Sequence, residues 1–218
     1  MVMTSYYTDT LYPLQDKVLA TINQLGTSFY LTGGTALSRF HLHHRYSDDL
    51  DFFINDAPDF VEKTSLIVRT LRESFDLKVE LQTSSYYSIV INDILKVEFV
   101  NDVAYHDNGF IKTPNFDKVD TISNILSNKL TAIIGRDEPK DVVDIWAIAN
   151  NNSTDWQHIF TAANSKAVGI FPPDIARRLS EFPIDLLDRI KWIEGKSPNN
   201  QQLKADLERI CNDILEIE

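Results

Sequence analysis

Apolar positions along the chain follow two regimes. As far as about residue 113, short runs with strand character alternate with helical stretches, and beyond Pro114 only helical spacing remains. Leu14, Val18, Ile22 and Leu25 recur at helical intervals, so residues 11–25 form a packing helix, with Pro13 tolerated in the first turn. Residues 28–32 are an apolar run that stops at Gly33-Gly34, as a buried strand entering a turn does; residues 35–44 return to helical spacing. An apolar run over 50–54, set among aspartates, predicts another strand. Pro58-Asp59 then opens a helix reaching about residue 75, with Phe60, Ile67 and Leu71 on one face.

From 77 to 100 the period drops to two. Leu77/Val79/Leu81, Tyr87/Ile89/Ile91 and Leu95/Val97/Phe99 predict three strands, the last two joined as a hairpin at Asn92-Asp93. Further on, Gly135, Pro139, residues 150–154, Pro172-Pro173, Pro183 and residues 195–200 punctuate a series of helices. The pattern predicts an α+β protein: an α/β core over residues 1–113 and a helical bundle over 114–218.

Composition narrows the function. Hydrophobic residues at 43% and charged residues at 24% are ordinary for a globular chain. The single cysteine, Cys211, offers neither an internal disulfide nor a thiolate metal site. No run approaches the roughly 20 apolar residues of a membrane span, and the first ten residues lack a basic segment followed by an apolar one, so a cytoplasmic location without membrane association is expected. The formal net charge of -11 argues against a protein that grips bare phosphate backbone through its overall charge. A polyanionic substrate must be met by a local basic patch, by bound divalent cations or by a basic partner.

The chemistry concentrates between residues 31 and 53. A strand running into Gly33-Gly34 and then a helix leaves backbone N–H groups unpaired, and a phosphate can approach them because glycine has no side chain. Asp49 and Asp51 stand two apart on a strand, so their carboxylates leave one face about 6.6 Å apart along the backbone and both can reach one metal. Magnesium takes oxygen ligands and usually one or two carboxylates plus substrate phosphate. Arg45 and Ser47 precede the pair, where a guanidinium and a hydroxyl can contact phosphate or fix a carboxylate. Alone, an Asp-x-Asp is common on solvated turns and a Gly-Gly usually marks a turn; the dinucleotide Gly-x-Gly-x-x-Gly is absent.

Together, Gly33, Gly34, Thr35 and Leu37, followed by Arg45, Ser47, Asp49, Asp51 and Phe52, resemble the signature of the AbiEii/AbiGii nucleotidyltransferase-fold toxins of the polymerase-beta-like superfamily. A second block, from Lys129 through Arg136 to Lys140, Asp141, Asp144 and Trp146, is similar to that family's Lys-x-x-Ala and Lys-Asp-x-x-Asp elements and extends the resemblance over about residues 25–150. The spacing from Gly-Gly to the aspartates is slightly longer than the superfamily's tightest form, so the intervening helix must be longer or end in a loop.

The resemblance implies a mixed sheet flanked by helices, with a helical domain closing the cleft. It also implies magnesium, or manganese in its place, and an NTP substrate. Gly33, Gly34, Thr35, Arg45, Ser47, Lys129 and Asp144 would then be nucleotide-binding residues, with Asp49 and Asp51 as metal ligands. No motif marks the third ligand. Alternation in residues 96–100 points to Glu98, ahead of Asp93 and Asp102, so the catalytic set is Asp49, Asp51, Glu98 and Lys129. For Asp141 and Asp144 a plainer reading stays open: Lys140 and Asp144 are an i,i+4 pair, and Asp141 can cap its helix. His41, His43 and His44 read as surface histidines; Tyr86, Tyr87 and Trp146 read as packing more than as base-stacking groups.

The function implied is NMP transfer from an NTP to an acceptor hydroxyl, with RNA, such as a tRNA 3′ end, as acceptor, in a toxin of a toxin-antitoxin or phage-defence system with a cognate antitoxin as partner. The alternatives are a nucleotide-binding regulatory module without turnover and a nucleotidyltransferase acting on a small molecule such as an antibiotic.

Overall fold

The computed structural model describes residues 2–107 and 109–217. Two compact units interleave along the chain: Met1–Ala36, Ser47–Ala104 and Asn108–Asp120 form the first, and Leu37–Tyr46, Tyr105–Asp107 and Thr121–Glu218 the second.

The first unit is built on a seven-stranded mixed sheet. Its strands are β1 (Tyr30–Thr32), β2 (Leu50–Asn55), β3 (Leu77–Gln82), β4 (Tyr86–Ile91), β5 (Leu95–Asp102), β6 (Phe110–Ile111) and β7 (Val119–Asp120), in the order β3-β4-β5-β2-β1-β7-β6. β4 and β5 form the expected hairpin, and Asn92 (φ 50°) and Asn92's neighbour Asp93 (φ 59°) both take the left-handed conformation that a two-residue turn of this hand demands. β2 lies parallel to β5 and antiparallel to β1, which places it centrally. Alternation along β2 buries Leu50, Phe52 and Ile54 and leaves Asp51 and Phe53 half-buried on the opposite face. Phe52 stacks on Phe99 at 5.4 Å between ring centres and meets Phe116 edge-on at 5.5 Å, while Phe29 joins Phe99 and Phe60, so an aromatic core anchors the strand that carries Asp51. Helices α1 (Val2–Tyr6), α2 (Tyr12–Gln24) and α4 (Phe60–Arg72) complete this unit together with α3 (Gly33–Leu37), whose last residue passes into the second unit.

The second unit is helical: α5 (Ile122–Gly135), α6 (Pro139–Asn151), α7 (Trp156–Lys166), α8 (Pro172–Ser180), a 3-10 turn at Ile184–Arg189 and α9 (Asn200–Leu215). Thr121, Asp155 and Asn199 cap α5, α7 and α9 by accepting from the N–H groups of Asn124, His158 and Gln202, and Pro139 and Pro172 open α6 and α8, so the breaks legible in the sequence are the helix starts. α5 packs on α6 and α7, and α9 on α6 and α8. Among the described residues no helix is long and apolar enough to cross a membrane.

Three expectations need correction. Strand structure continues past Pro114, because β6 and β7 pair with each other and β7 with β1; at two residues each they are too short to show a period. The first helix begins before residue 11, since a π-turn at Tyr7–Leu11 joins α1 to α2. The stretch after Gly33 is not a uniform α-helix: α3 gives way to a π-turn at Ser38–Leu42, closed by His43 in the left-handed conformation (φ 49°), and a loop follows, which absorbs the long spacing to the aspartates.

Candidate active site

Asp51 owes its setting to three neighbouring strands. On β1, Thr32 is its register partner; on β5, the partner is Glu98. Glu98 thus stands beside Asp51, and the two carboxyl groups lie close enough to interact directly. Gly33 packs against the Asp51 side chain with φ +69°, and a Cβ at this position would come within 2.3 Å of Asp51 Oδ2. The glycine is therefore required twice, by its left-handed backbone and by the carboxylate pressed against it. Thr35, placed by sequence in the nucleotide pocket, is fully buried, and its hydroxyl donates to the main-chain oxygen of Asp49. Its side chain fastens the start of α3 to the acidic segment. Ser47 is also buried, its carbonyl accepting from Gln15 (3.3 Å), as the carbonyl of Asp48 does (3.1 Å).

Glu98 is clamped from its own side of the sheet. The Tyr86 hydroxyl donates to Oε1, and Lys96 Nζ lies 2.7 Å from the same oxygen. Burial pushes the Glu98 carboxyl up, but hydrogen bonds from Lys96 and Tyr86 outweigh it and hold the group below the usual carboxylate range. The hydrogen bond to Glu98 likewise raises Lys96 against a smaller effect of burial, with the charges of Glu98 and Asp49 adding to it. Among the described residues no three acidic, histidine or cysteine side chains are gathered so as to hold a metal ion. The expected trio of Asp49, Asp51 and Glu98 is thus not drawn together, and Glu98 is engaged by Tyr86 and Lys96 instead. The donor set nevertheless fits a hard divalent cation: neighbouring carboxylates with an ammonium already seated on one of them mark a place that favours positive charge.

The helical unit holds a second acidic cluster of different character. Asp144, fully buried on α6, accepts Arg45 Nε at 2.7 Å and Nη2 at 2.8 Å, His44 Nε2 at 2.8 Å and Lys129 Nζ at 2.7 Å. Asp141, also fully buried, accepts Lys129 at 2.7 Å and Arg136 at 2.7 and 3.1 Å. Burial raises the Asp144 carboxyl, yet Arg45 and Lys129 hold it well below the usual range. Asp141 is lowered in the same way, against its burial, by Lys129 and Arg136; Lys129 is raised by Asp144 and Asp141 against the opposing effect of its own burial. The plainer reading of the two aspartates is overturned, because neither a helix cap nor a Lys140 pair describes them. Arg45 fixes a carboxylate, and Lys129 is a buried bridge between two of them.

Other groups differ from the sequence expectation. His44 is buried within this network and is no surface histidine; among the described residues its Nδ1 has no hydrogen-bond partner. Lys96 was findable, since the alternation that selected Glu98 places Lys96 on the same face. Tyr86 reads from sequence as a packing ring, but its hydroxyl donates to Glu98. Asp120 on β7, fully buried and accepting from Thr32 at 2.6 Å, gave no signal because its strand has only two residues. Trp146 packs edge-on against Trp192 at 6.1 Å and donates to Asp206 (2.9 Å), so it is a packing residue as expected.

The family model described as nucleotidyl transferase AbiEii toxin, type IV TA system, matches residues 17–213. The chain belongs to the AbiEii family of nucleotidyltransferase toxins. Among curated proteins none matches it. Similar solved structures include the MenT4 nucleotidyltransferase toxin of Mycobacterium tuberculosis H37Rv, with a TM-score of 0.62 at 15% identity over 98% of this chain and 86% of that one. JHP933 from Helicobacter pylori gives a TM-score of 0.58 at 18% identity over 95% and 92% of the two chains, and the antibiotic-resistance factor ANT(2'')-Ia gives 0.54 at 12% identity over 72% and 91%. At these identities the likeness establishes the nucleotidyltransferase fold, a mixed sheet with flanking helices, in agreement with the fold class read from the sequence. This AbiEii member is a nucleotidyltransferase by family.

Proposed function

We propose that this AbiEii-family chain moves a nucleoside monophosphate from an NTP to a hydroxyl of RNA, such as a tRNA 3′ end, in a metal-dependent reaction, and that a cognate antitoxin restrains it. The observation that carries the reading is the juxtaposition of Asp51 and Glu98 on adjacent central strands, with Gly33 pressed against Asp51. The acceptor oxygen attacks the α-phosphate, the bond to the β-phosphate's bridging oxygen breaks, and pyrophosphate leaves. Asp51 and Glu98 would hold magnesium or manganese, with Asp49 a third carboxylate that the ion would have to draw in; when bound, the metal lowers the pKa of a hydroxyl and offsets charge on the phosphates. Asp51 or Glu98 accepts the proton of the attacking hydroxyl. Main-chain N–H groups at Gly34 and Thr35 receive the triphosphate. The Thr35 hydroxyl acts through Asp49, and Ser47 through its place in the same loop, both as positioning residues. In the helical unit, Asp144 and Asp141 orient Arg45 and Lys129, and the nucleotide-binding roles of Arg45, Lys129 and Asp144 are exercised through that network.

A net charge of -11 favours a small-molecule acceptor as a second reading. Incubation with each labelled NTP, total RNA, purified tRNA and an aminoglycoside, with magnesium, separates the readings. Label on RNA is the expected result. Label on the aminoglycoside alone supports the second, and nucleotide binding without pyrophosphate release would leave a binding module.

A further inference from the structure

We propose that Lys96 is the resident counter-cation of the carboxylate site, seated on Glu98 until a divalent metal displaces it. The proposal rests on the reading of Asp51 and Glu98 as metal ligands. Alternation along β5 puts Lys96 and Glu98 on one face, and the Lys96 ammonium lies 2.7 Å from Glu98 Oε1, the oxygen that Tyr86 also engages. Asp51 faces Glu98 across the strand pair, and the charge of Asp49 also reaches the ammonium. Asp51 and Glu98 engage each other directly, and Lys96 places positive charge where the two groups, once both ionised, would repel.

A metal arriving at Glu98 must break this ion pair and then tolerate the ammonium nearby. Lys96 therefore sets the metal affinity of the nucleotide-free protein below what the carboxylates alone would give. The lysine has the freedom to leave, since its side chain is 41% exposed whereas that of Glu98 is 24% exposed. Its departure leaves a cation beside the metal, where the phosphates of an NTP are the natural anionic partners. Metal loading and nucleotide binding are coupled in this way.

The test is a Mn2+ titration of the full chain without nucleotide, following free Mn2+ by electron paramagnetic resonance. Lys96→Met keeps the stem and removes the charge, and it should tighten Mn2+ binding about three- to ten-fold, because a partly exposed ion pair no longer competes. Lys96→Arg should stay within about two-fold of the parent, since the competing charge is kept. Lys96→Gln, a second neutral variant, should move with Lys96→Met and guards against a folding defect peculiar to one substitution. Unchanged or weaker Mn2+ binding in both neutral variants, with native circular dichroism, would overturn the proposal. Glu98→Gln separates the two layers of argument: if it binds Mn2+ as the parent does, Glu98 is no ligand, and the metal reading falls together with the role of Lys96.

Discussion

Asp144 and Asp141 in the helical unit meet fixed cations, whereas Asp51 and Glu98 in the sheet unit meet each other. The first cluster is buried and its partners are supplied in advance by Arg45, Lys129, Arg136 and His44. The second is half-buried, a partly exposed lysine pairs with one of its carboxylates, and a glycine stands where any side chain would collide with Asp51. A cluster completed from within is a positioning device. One whose carboxylates adjoin each other and pair with a partly exposed lysine is a place for ligand chemistry. Substitution should therefore have opposite consequences in the two.

The largest effect on folding belongs to the buried network. Asp144→Ala strands Arg45 and Lys129 without their shared partner and should cost about 3–5 kcal/mol in chemical denaturation; a loss below about 1 kcal/mol would show that the network is not a determinant of stability. Gly33→Ala comes next. It forces a left-handed alanine and a collision with the Asp51 carboxylate, for an expected loss of about 1–2 kcal/mol from the backbone alone, together with lost turnover. Wild-type stability and activity in this variant would refute the close approach.

Acid titration gives a third contrast. Asp141 and Asp144 have pKa values lowered on folding, so the stability they contribute is fully present above their unfolded value, about 3.9, and drains away as pH falls through the lower folded value. Melting temperature should decline more steeply below about pH 4 in the parent than in Asp144→Asn, which has already lost that contribution. Equal slopes would contradict the assignment. The smallest effect is the most diagnostic: Asp51→Asn replaces a carboxyl beside Glu98 with an amide that can donate to it at any pH, and should stabilise the fold by about 0.2–1 kcal/mol. Destabilisation on the scale of Asp144→Ala would mean that the two clusters are alike.

What the sequence disclosed follows from what has a local period. β2, β4, β5 and the breaks between helices were legible because alternation and the backbone preferences of proline and glycine act within a few positions. Glu98 was singled out by alternation, and the fold sets it beside Asp51 on the neighbouring strand. β7 was illegible because two residues carry no period, and Asp120 was lost with it. The network of His44, Arg45, Lys129, Asp141 and Asp144 spans about a hundred residues of chain, so its members looked like a surface histidine, a phosphate ligand, a cap and an i,i+4 pair until the fold joined them. The bond from the Thr35 hydroxyl to Asp49 was hidden for the same reason, since its partner is a carbonyl that no side-chain pattern encodes.

The central claim, that the sheet-borne carboxylates run metal-dependent nucleotide transfer, is tested most directly by single-turnover incorporation of labelled NTP by Asp51→Asn beside the parent, with magnesium and with EDTA. The account predicts that the parent's incorporation vanishes in EDTA and that Asp51→Asn falls by about a thousand-fold or more, the several kcal/mol a lost metal ligand costs, while its melting temperature is kept or raised. Turnover in Asp51→Asn within ten-fold of the parent, or incorporation indifferent to EDTA, would contradict it.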